Sequence, residues 1–219
     1  MDIADAHGSL DLRALARQPQ QLRARERFDL VLGGARQILR HDGLSGFSIP
    51  ALAQRVGITR ASIYKFFPTP YAVLNELVRL ALQQLDARLT ACGQKVVDRP
   101  WPEALRAVTL EAAAFYNEDP VARLLILGGP VSDDSYRAQE LAIQKLGGLT
   151  RALLEARAIH LPRSKPDAAM LLVDIGTTCF RVSQFLHGEI TREYREEAVR
   201  AMQAYLELYV GKNGRRKKQ

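Results

Sequence analysis

Between Ser48 and Lys65 the chain gathers the side chains best suited to holding a polyanion: Ser48, Thr59, Arg60, Ala61, Ser62, Tyr64 and Lys65. Arg60 carries a planar guanidinium that can donate two parallel hydrogen bonds to guanine, and Ser62 can bond to a base edge or a phosphate. Tyr64 and Lys65 suit phosphate oxygens, as do Ser48 and Thr59 if each opens a helix, where free N–H groups favour anions. Ala61 is small enough to let backbone approach a groove. No rival chemistry is spelled out so fully. A Gly-rich phosphate loop, an HExxH run and a Gly-x-Ser-x-Gly elbow are all absent. His7, His41, His160 and His187 are scattered, and Cys92 and Cys179 stand far apart with no ligand motif beside either, as buried thiols in a reducing compartment do. The expectation is a binding protein without catalytic residues, metal or cofactor.

The elements that must position this cluster read as helices. Phe28, Val31, Leu32, Ala35, Ile38 and Leu39 recur at three- and four-residue steps, which predicts a helix over Gln21–His41 closed by Gly43. Gly33 and Gly34 inside it suggest that another helix comes close. Ser48 and Pro50 open a short helix that Gly57 ends, with Ile49, Leu52, Ala53 and Val56 facing inward. Thr59 opens a second, with Ile58 and Ile63 placed as a hydrophobic staple and Pro68 as its stop. Helices this short are marginal alone and must pack on longer neighbours. That packing leaves the outer face of the second one bare.

Charge follows the same division. Residues 20–67 hold eight Lys and Arg against three acids, whereas residues 100–210 hold twelve against fifteen. A basic head on a mildly acidic body fits duplex nucleic acid as the partner.

The run Ser48-Ile49-Pro50-Ala51-Leu52-Ala53-Gln54-Arg55-Val56-Gly57-Ile58-Thr59-Arg60-Ala61-Ser62-Ile63-Tyr64-Lys65-Phe66-Phe67 resembles the DNA-binding signature of the TetR family, with the close match spanning Phe28 to Leu77. The resemblance implies an all-α fold, a helix-turn-helix head, and a larger helical body that dimerises and encloses an effector. It also implies that Tyr64 touches a phosphate while Arg60, Ala61 and Ser62 face the major groove. Three departures stand out: Ala61 where glycine is common, Phe66 where histidine is common, and Thr69-Pro70-Tyr71 in place of a serine-lysine-acid segment. The last puts one lysine–phosphate contact in question.

The domains expected are a disordered arm over 1–19, the DNA-binding head over 20–68, the effector and dimer domain over 69–210, and a basic tail over 211–219. A fourth helix starts at Thr69-Pro70 and runs to about Ala91. Further helices are predicted over Trp101–Tyr116, Pro120–Leu127, Asp134–Arg157, Lys165–Leu186 and Thr191–Val210. A single recognition helix reads little sequence, so heads of this type pair across a two-fold axis. The last two helices offer the apolar stripes for that pairing: Leu171, Leu172, Ile175, Cys179, Val182 and Leu186 on one, Met202, Tyr205, Leu206 and Tyr209 on the other. Trp101, Thr109, Phe115, Tyr116, Gln144, Thr177 and Thr178 mix apolar walls with a few polar handles and are the residues expected around an effector, itself mostly apolar. The start of the chain has neither a basic leader nor an apolar run, and no segment approaches the ~20 uninterrupted apolar residues of a membrane span, which makes a cytoplasmic protein the expectation. The sequence thus predicts a homodimeric repressor released from a palindromic operator by a small molecule. The alternative is a helical dimeric scaffold without DNA affinity.

Overall fold

The computed structural model describes residues 15–129, 133–162 and 166–213, and among them there are nine helices and no strand. In chain order they are α1 (Leu22–Asp42), α2 (Ile49–Val56), α3 (Arg60–Phe66), α4 (Pro70–Lys95), α5 (Trp101–Glu118), α6 (Pro120–Leu127), α7 (Asp133–Glu155), α8 (Ala168–His187) and α9 (Arg192–Asn213). Two compact units divide the chain, one of Met1–Leu80 with Pro130–Ala138 and one of Ala81–Gly129 with Gln139–Gln219. The first unit therefore takes in the start of α4, beyond the boundary at residue 68 that the sequence suggests. Ala72, Val73, Leu74 and Leu77 of that segment are all buried.

In the first unit the predicted inner faces form the core. Phe28, Val31, Leu32, Ala35, Ile38 and Leu39 of α1 are buried with Ile49, Leu52, Ile63 and Phe67. The Phe67 ring stacks on Phe28 at a centroid distance of 4.7 Å, and Phe66 meets Phe28 edge-on at 6.0 Å. Only the second residue of the glycine pair marks a close approach. A Cβ on Gly34 would stand 2.2 Å from Cγ1 of Val56, whereas one on Gly33 would meet nothing within 4 Å. The arm is partly fixed: the Arg17 N–H donates to the Phe66 carbonyl at 2.7 Å, and the Gln18 amide donates to Glu76 Oε1 at 3.1 Å. Glu76, only 5% exposed, also accepts from Arg79. Disorder thus does not describe residues 15–19, because the end of α3 offers them an unpaired carbonyl. Residues 1–14 and 214–219 lie outside the described residues, so the rest of the arm and most of the tail are not tested.

In the second unit α8 and α9 lie so close that a Cβ on Gly176 would sit 2.5 Å from Sδ of Met202. The 188–191 turn between them is pinned by two polar side chains. Ser183 Oγ donates to the Glu189 carbonyl at 2.8 Å and accepts from the Thr191 N–H at 3.0 Å. Asn117 of α5 donates to the Ile190 carbonyl at 2.8 Å and accepts from its N–H at 2.9 Å. The start of α8 falls at Ala168, later than the predicted Lys165, because Asp167 caps it by accepting from Ala169 and Met170 N–H at 2.8 and 3.0 Å. α7 stops at Glu155, and Ala158 then adopts a positive φ of 55°. Among the described residues one helix, α8, is long and apolar enough by length and composition to cross a membrane. Its Asp174 and Arg181 break the apolar run, and much of its apolar content faces outward.

Candidate nucleic-acid interface and ligand cavity

The start of α3 is held by its own hydroxyls. Thr59 Oγ1 accepts from the Ser62 N–H at 3.2 Å and lies 2.9 Å from Ser62 Oγ, so part of the hydrogen-bonding capacity of both is engaged before any partner arrives. Ser48 does the same for α2, accepting from the Ala51 N–H at 3.3 Å. Gly57 joins the two helices in the left-handed conformation, φ 68°, with its N–H on the Ala53 carbonyl. Ile63 anchors α3 inward, which turns Arg60, Ala61, Tyr64 and Lys65 to solvent and leaves Ser62 half-buried. A notch beside the start of α3 is lined by Pro50, Ala51, Ala53, Gln54, Ile58, Thr59 and Arg60. Sequence reasoning missed Gln54, an exposed amide able to read a base edge. The inward phase of Leu52, Ala53 and Val56 already turns it outward. Thr69 accepts from the Ala72 N–H at 3.1 Å, so the departing Thr69-Pro70-Tyr71 segment still opens α4, with Tyr71 exposed.

Residues 31–77 match the model of the bacterial regulatory proteins, tetR family. This segment is similar to the helix-turn-helix head of that family. The match ends at Leu77, within the first unit and short of the body. Beyond it, similarity is one of fold. A TetR-family transcriptional regulator from Streptomyces coelicolor is 20% identical, with a TM-score of 0.61 over 84% of this chain and 99% of its own. SmeT, the repressor of the Stenotrophomonas maltophilia multidrug efflux pump SmeDEF, is 18% identical at 0.61, covering 83% and 89%. The TetR-family repressor FadR of Thermus thermophilus, solved with lauroyl-CoA, is 18% identical at 0.58, covering 80% and 92%. No curated relative matches the sequence. The all-α architecture of these structures therefore extends through the body as well as the head.

Within the second unit, α4, α5, α7, α8 and α9 enclose a cavity of about 310 Å³ whose walls are mainly apolar, with Leu85, Leu89, Val108, Leu149, Leu153 and Phe180 among them. Of the residues expected there, Thr109, Tyr116 and Thr177 line it. Trp101, Phe115, Gln144 and Thr178 do not. Trp101 opens α5 and faces a separate concavity with Ile159 and Val210. Phe115 precedes Tyr116 by one residue, about 100° around the helix, and carries the Arg88 guanidinium 5.7 Å from its ring centre. Gln144 and Thr178 are exposed on the outer faces of α7 and α8. Thr109 Oγ1 donates to the Leu105 carbonyl at 2.8 Å, which leaves it only as an acceptor. Burial pushes the Tyr116 phenol far above its ordinary range, so it stays a neutral donor.

The expected dimer stripe divides. Leu172, Met202 and Leu206 are buried in the unit's own core with Leu105, Leu154 and Ala168, so they are not available to a second copy. Tyr205 and Tyr209 are half-buried against that core, their hydroxyls 3.2 Å apart, and Ile175 packs there too. Cys179 is half-buried. Leu171, Val182 and Leu186 are exposed, together with Phe185 at 87% and Leu208. Leu171, Ile175, Thr178, Val182 and Phe185 follow steps of four and three along α8, the spacing of a helix-pairing seam. The sequence reading missed Phe185 because it set the stripe partly on the inward phase.

Proposed function

We propose that the chain is a homodimeric repressor that binds a palindromic operator through paired α3 helices and releases it when a small molecule occupies the body. The carrying observation is the outer face of α3, where Arg60, Ala61, Tyr64 and Lys65 stand free of the fold on a helix start fixed by Thr59. Nothing in the core requires those types at those positions. Their match to groove and phosphate chemistry is the reason to read them as DNA contacts. The outer seam of α8 supports pairing, since Phe185, exposed together with Leu171, Val182 and Leu186, makes an apolar face that a second copy would cover.

Release by a ligand requires different affinities for two conformations. The cavity supplies the place for such a ligand, and α4 supplies a mechanical route, because Leu85 and Leu89 in its second half form part of the cavity wall. The repressors FadR and SmeT share this fold, and the first was solved holding lauroyl-CoA.

Selecting bound duplexes from genomic DNA, then titrating the selected site at several salt concentrations, tests the reading. The expected result is a palindrome and a steep loss of affinity with salt, because phosphate neutralisation releases counterions. Arg60→Ala should cost ~1–3 kcal/mol on that site and relax preference at one base pair. Tyr64→Phe should weaken all sequences alike. Affinity unchanged in both folded variants refutes the assignment.

A further inference from the structure

We propose that the body cavity takes an amphiphile with a single carboxylate, its apolar part in the main space and its carboxylate on Arg181. The inference rests on the reading of that cavity as the effector site and adds the chemical class of its occupant.

Two arginines reach these walls, and their states differ. Arg157 is engaged at all three nitrogens as a structural donor, bonding to the carbonyls of Arg99 at 3.1 Å, Leu153 at 2.7 Å and Val96. Arg181, on α8, has neither ion-pair nor hydrogen-bond partner among the described residues, and its Nε is shielded from solvent with no acceptor. It lines a small recess of about 20 Å³ whose other walls include Tyr116, Leu146 and Thr177. Those three residues also line the main cavity, so the recess and the cavity back on the same side chains.

Tyr116 adds the second half of the argument. It is only 4% exposed, its phenol stays protonated, and no described residue accepts from its hydroxyl. The Arg181 Nε, shielded and without an acceptor, and the Tyr116 phenol, which has none among the described residues, belong to side chains that line one small recess. Neither that recess nor the main cavity has an Asp or Glu in its walls. Unpaired buried donors are costly and call for an explanation, and the ligand that satisfies both is an acceptor-only group. A carboxylate can take the two-pronged guanidinium fork and still accept from a phenol. One cation lines the recess. A phosphate monoester, close to two negative charges, would leave about one of them unpaired there. A primary ammonium would bring a second cation against Arg181.

Displacement of Nile red, a neutral apolar fluorophore, from the full-length protein at pH 7.5 tests this with decanoate and decan-1-ol, matched in length and both kept below self-association. Decanoate is expected to displace the dye at about 10- to 100-fold lower concentration, the range set by a charge-assisted pair. Arg181→Met should abolish that preference while leaving decan-1-ol within twofold, which also shows that the cavity still folds. Arg181→Lys should retain part of it, and Tyr116→Phe should weaken decanoate several-fold. Equal potency of acid and alcohol in the wild type, unaltered in Arg181→Met, overturns the carboxylate assignment and leaves the cavity reading standing. Failure of the dye and of both ten-carbon probes to bind overturns the cavity reading and the inference with it.

Discussion

Adding one methyl group at Gly34 should weaken the head, although the same change one residue earlier should strengthen it. Both glycines lie in the interior of α1, where alanine is favoured by roughly 1 kcal/mol on helix propensity alone. At Gly33 nothing opposes that gain, because the new Cβ meets no atom within 4 Å. At Gly34 the Cβ lands 2.2 Å from Val56 Cγ1 and 3.2 Å from Leu52 Cδ1. Carbon atoms rest about 3.5–4.0 Å apart, so Val56 must recede by more than an ångström. A β-branched side chain in a helix has one favoured rotamer and cannot swing aside cheaply. The strain therefore passes to α2, at the ~1–3 kcal/mol typical of an overpacked core. Set against the propensity gain, Gly34→Ala loses about 0–2 kcal/mol and Gly33→Ala gains about 1. Hydrogen exchange of the α1 and α2 amides reads this difference locally, without relying on a single transition for a two-unit chain. Displacement of α2 should also weaken operator binding in Gly34→Ala alone. If Gly34→Ala protects those amides as well as Gly33→Ala does, the close-contact argument is wrong.

Four further outcomes are expected. Phe67→Ala, which deletes a fully buried ring stacked on Phe28, should cost ~3–5 kcal/mol in urea unfolding of the head. Ala158→Gly should raise stability by about 1 kcal/mol, since the positive φ there strains any residue with a Cβ; an unchanged or lower melting temperature counts against it. Burial alone would raise the Asp167 carboxyl, but the Met170 and Ala169 N–H groups and Arg151 together hold it below its ordinary value. Its contribution is thus complete above the unfolded value and lost as pH falls below about 4, so Asp167→Asn should flatten that part of the acid-stability curve. Phe185→Glu on the exposed seam of α8 should shift the sedimentation profile from dimer to monomer while leaving circular dichroism unchanged.

The head could be read closely from sequence because its signals are local. Ser48, Gly57 and Thr59 each act within four residues, and the apolar phase of Phe28 to Leu39 decides which face of α1 turns inward. The all-α class of the body followed from the same periodicity. Sidedness within the body did not. Leu172 and Leu171 are adjacent leucines, and only the packing of α8 on α9 determines that the first is core and the second is surface. The cavity residues posed the same difficulty: Phe115 and Tyr116 differ by one step of rotation that no composition argument resolves. The Asp167 cap was available in the sequence, since Pro166-Asp167 precedes an apolar run. The arm's anchorage was not, because it depends on a carbonyl at the end of α3, far along the chain.

The bend between α8 and α9 has consequences for how this protein can diverge. Its backbone groups at Glu189, Ile190 and Thr191 are satisfied by Ser183 and Asn117, side chains of fixed reach on α8 and α5. A residue gained or lost there would orphan those groups and also rotate every later position of α9 by about 100°, carrying Leu208 off its present bearing. Insertions and deletions should therefore be rejected at this corner, while amino-acid exchanges along the outer stripes proceed freely. Changes of pairing partner would then have to come by substitution, with the corner held at constant length.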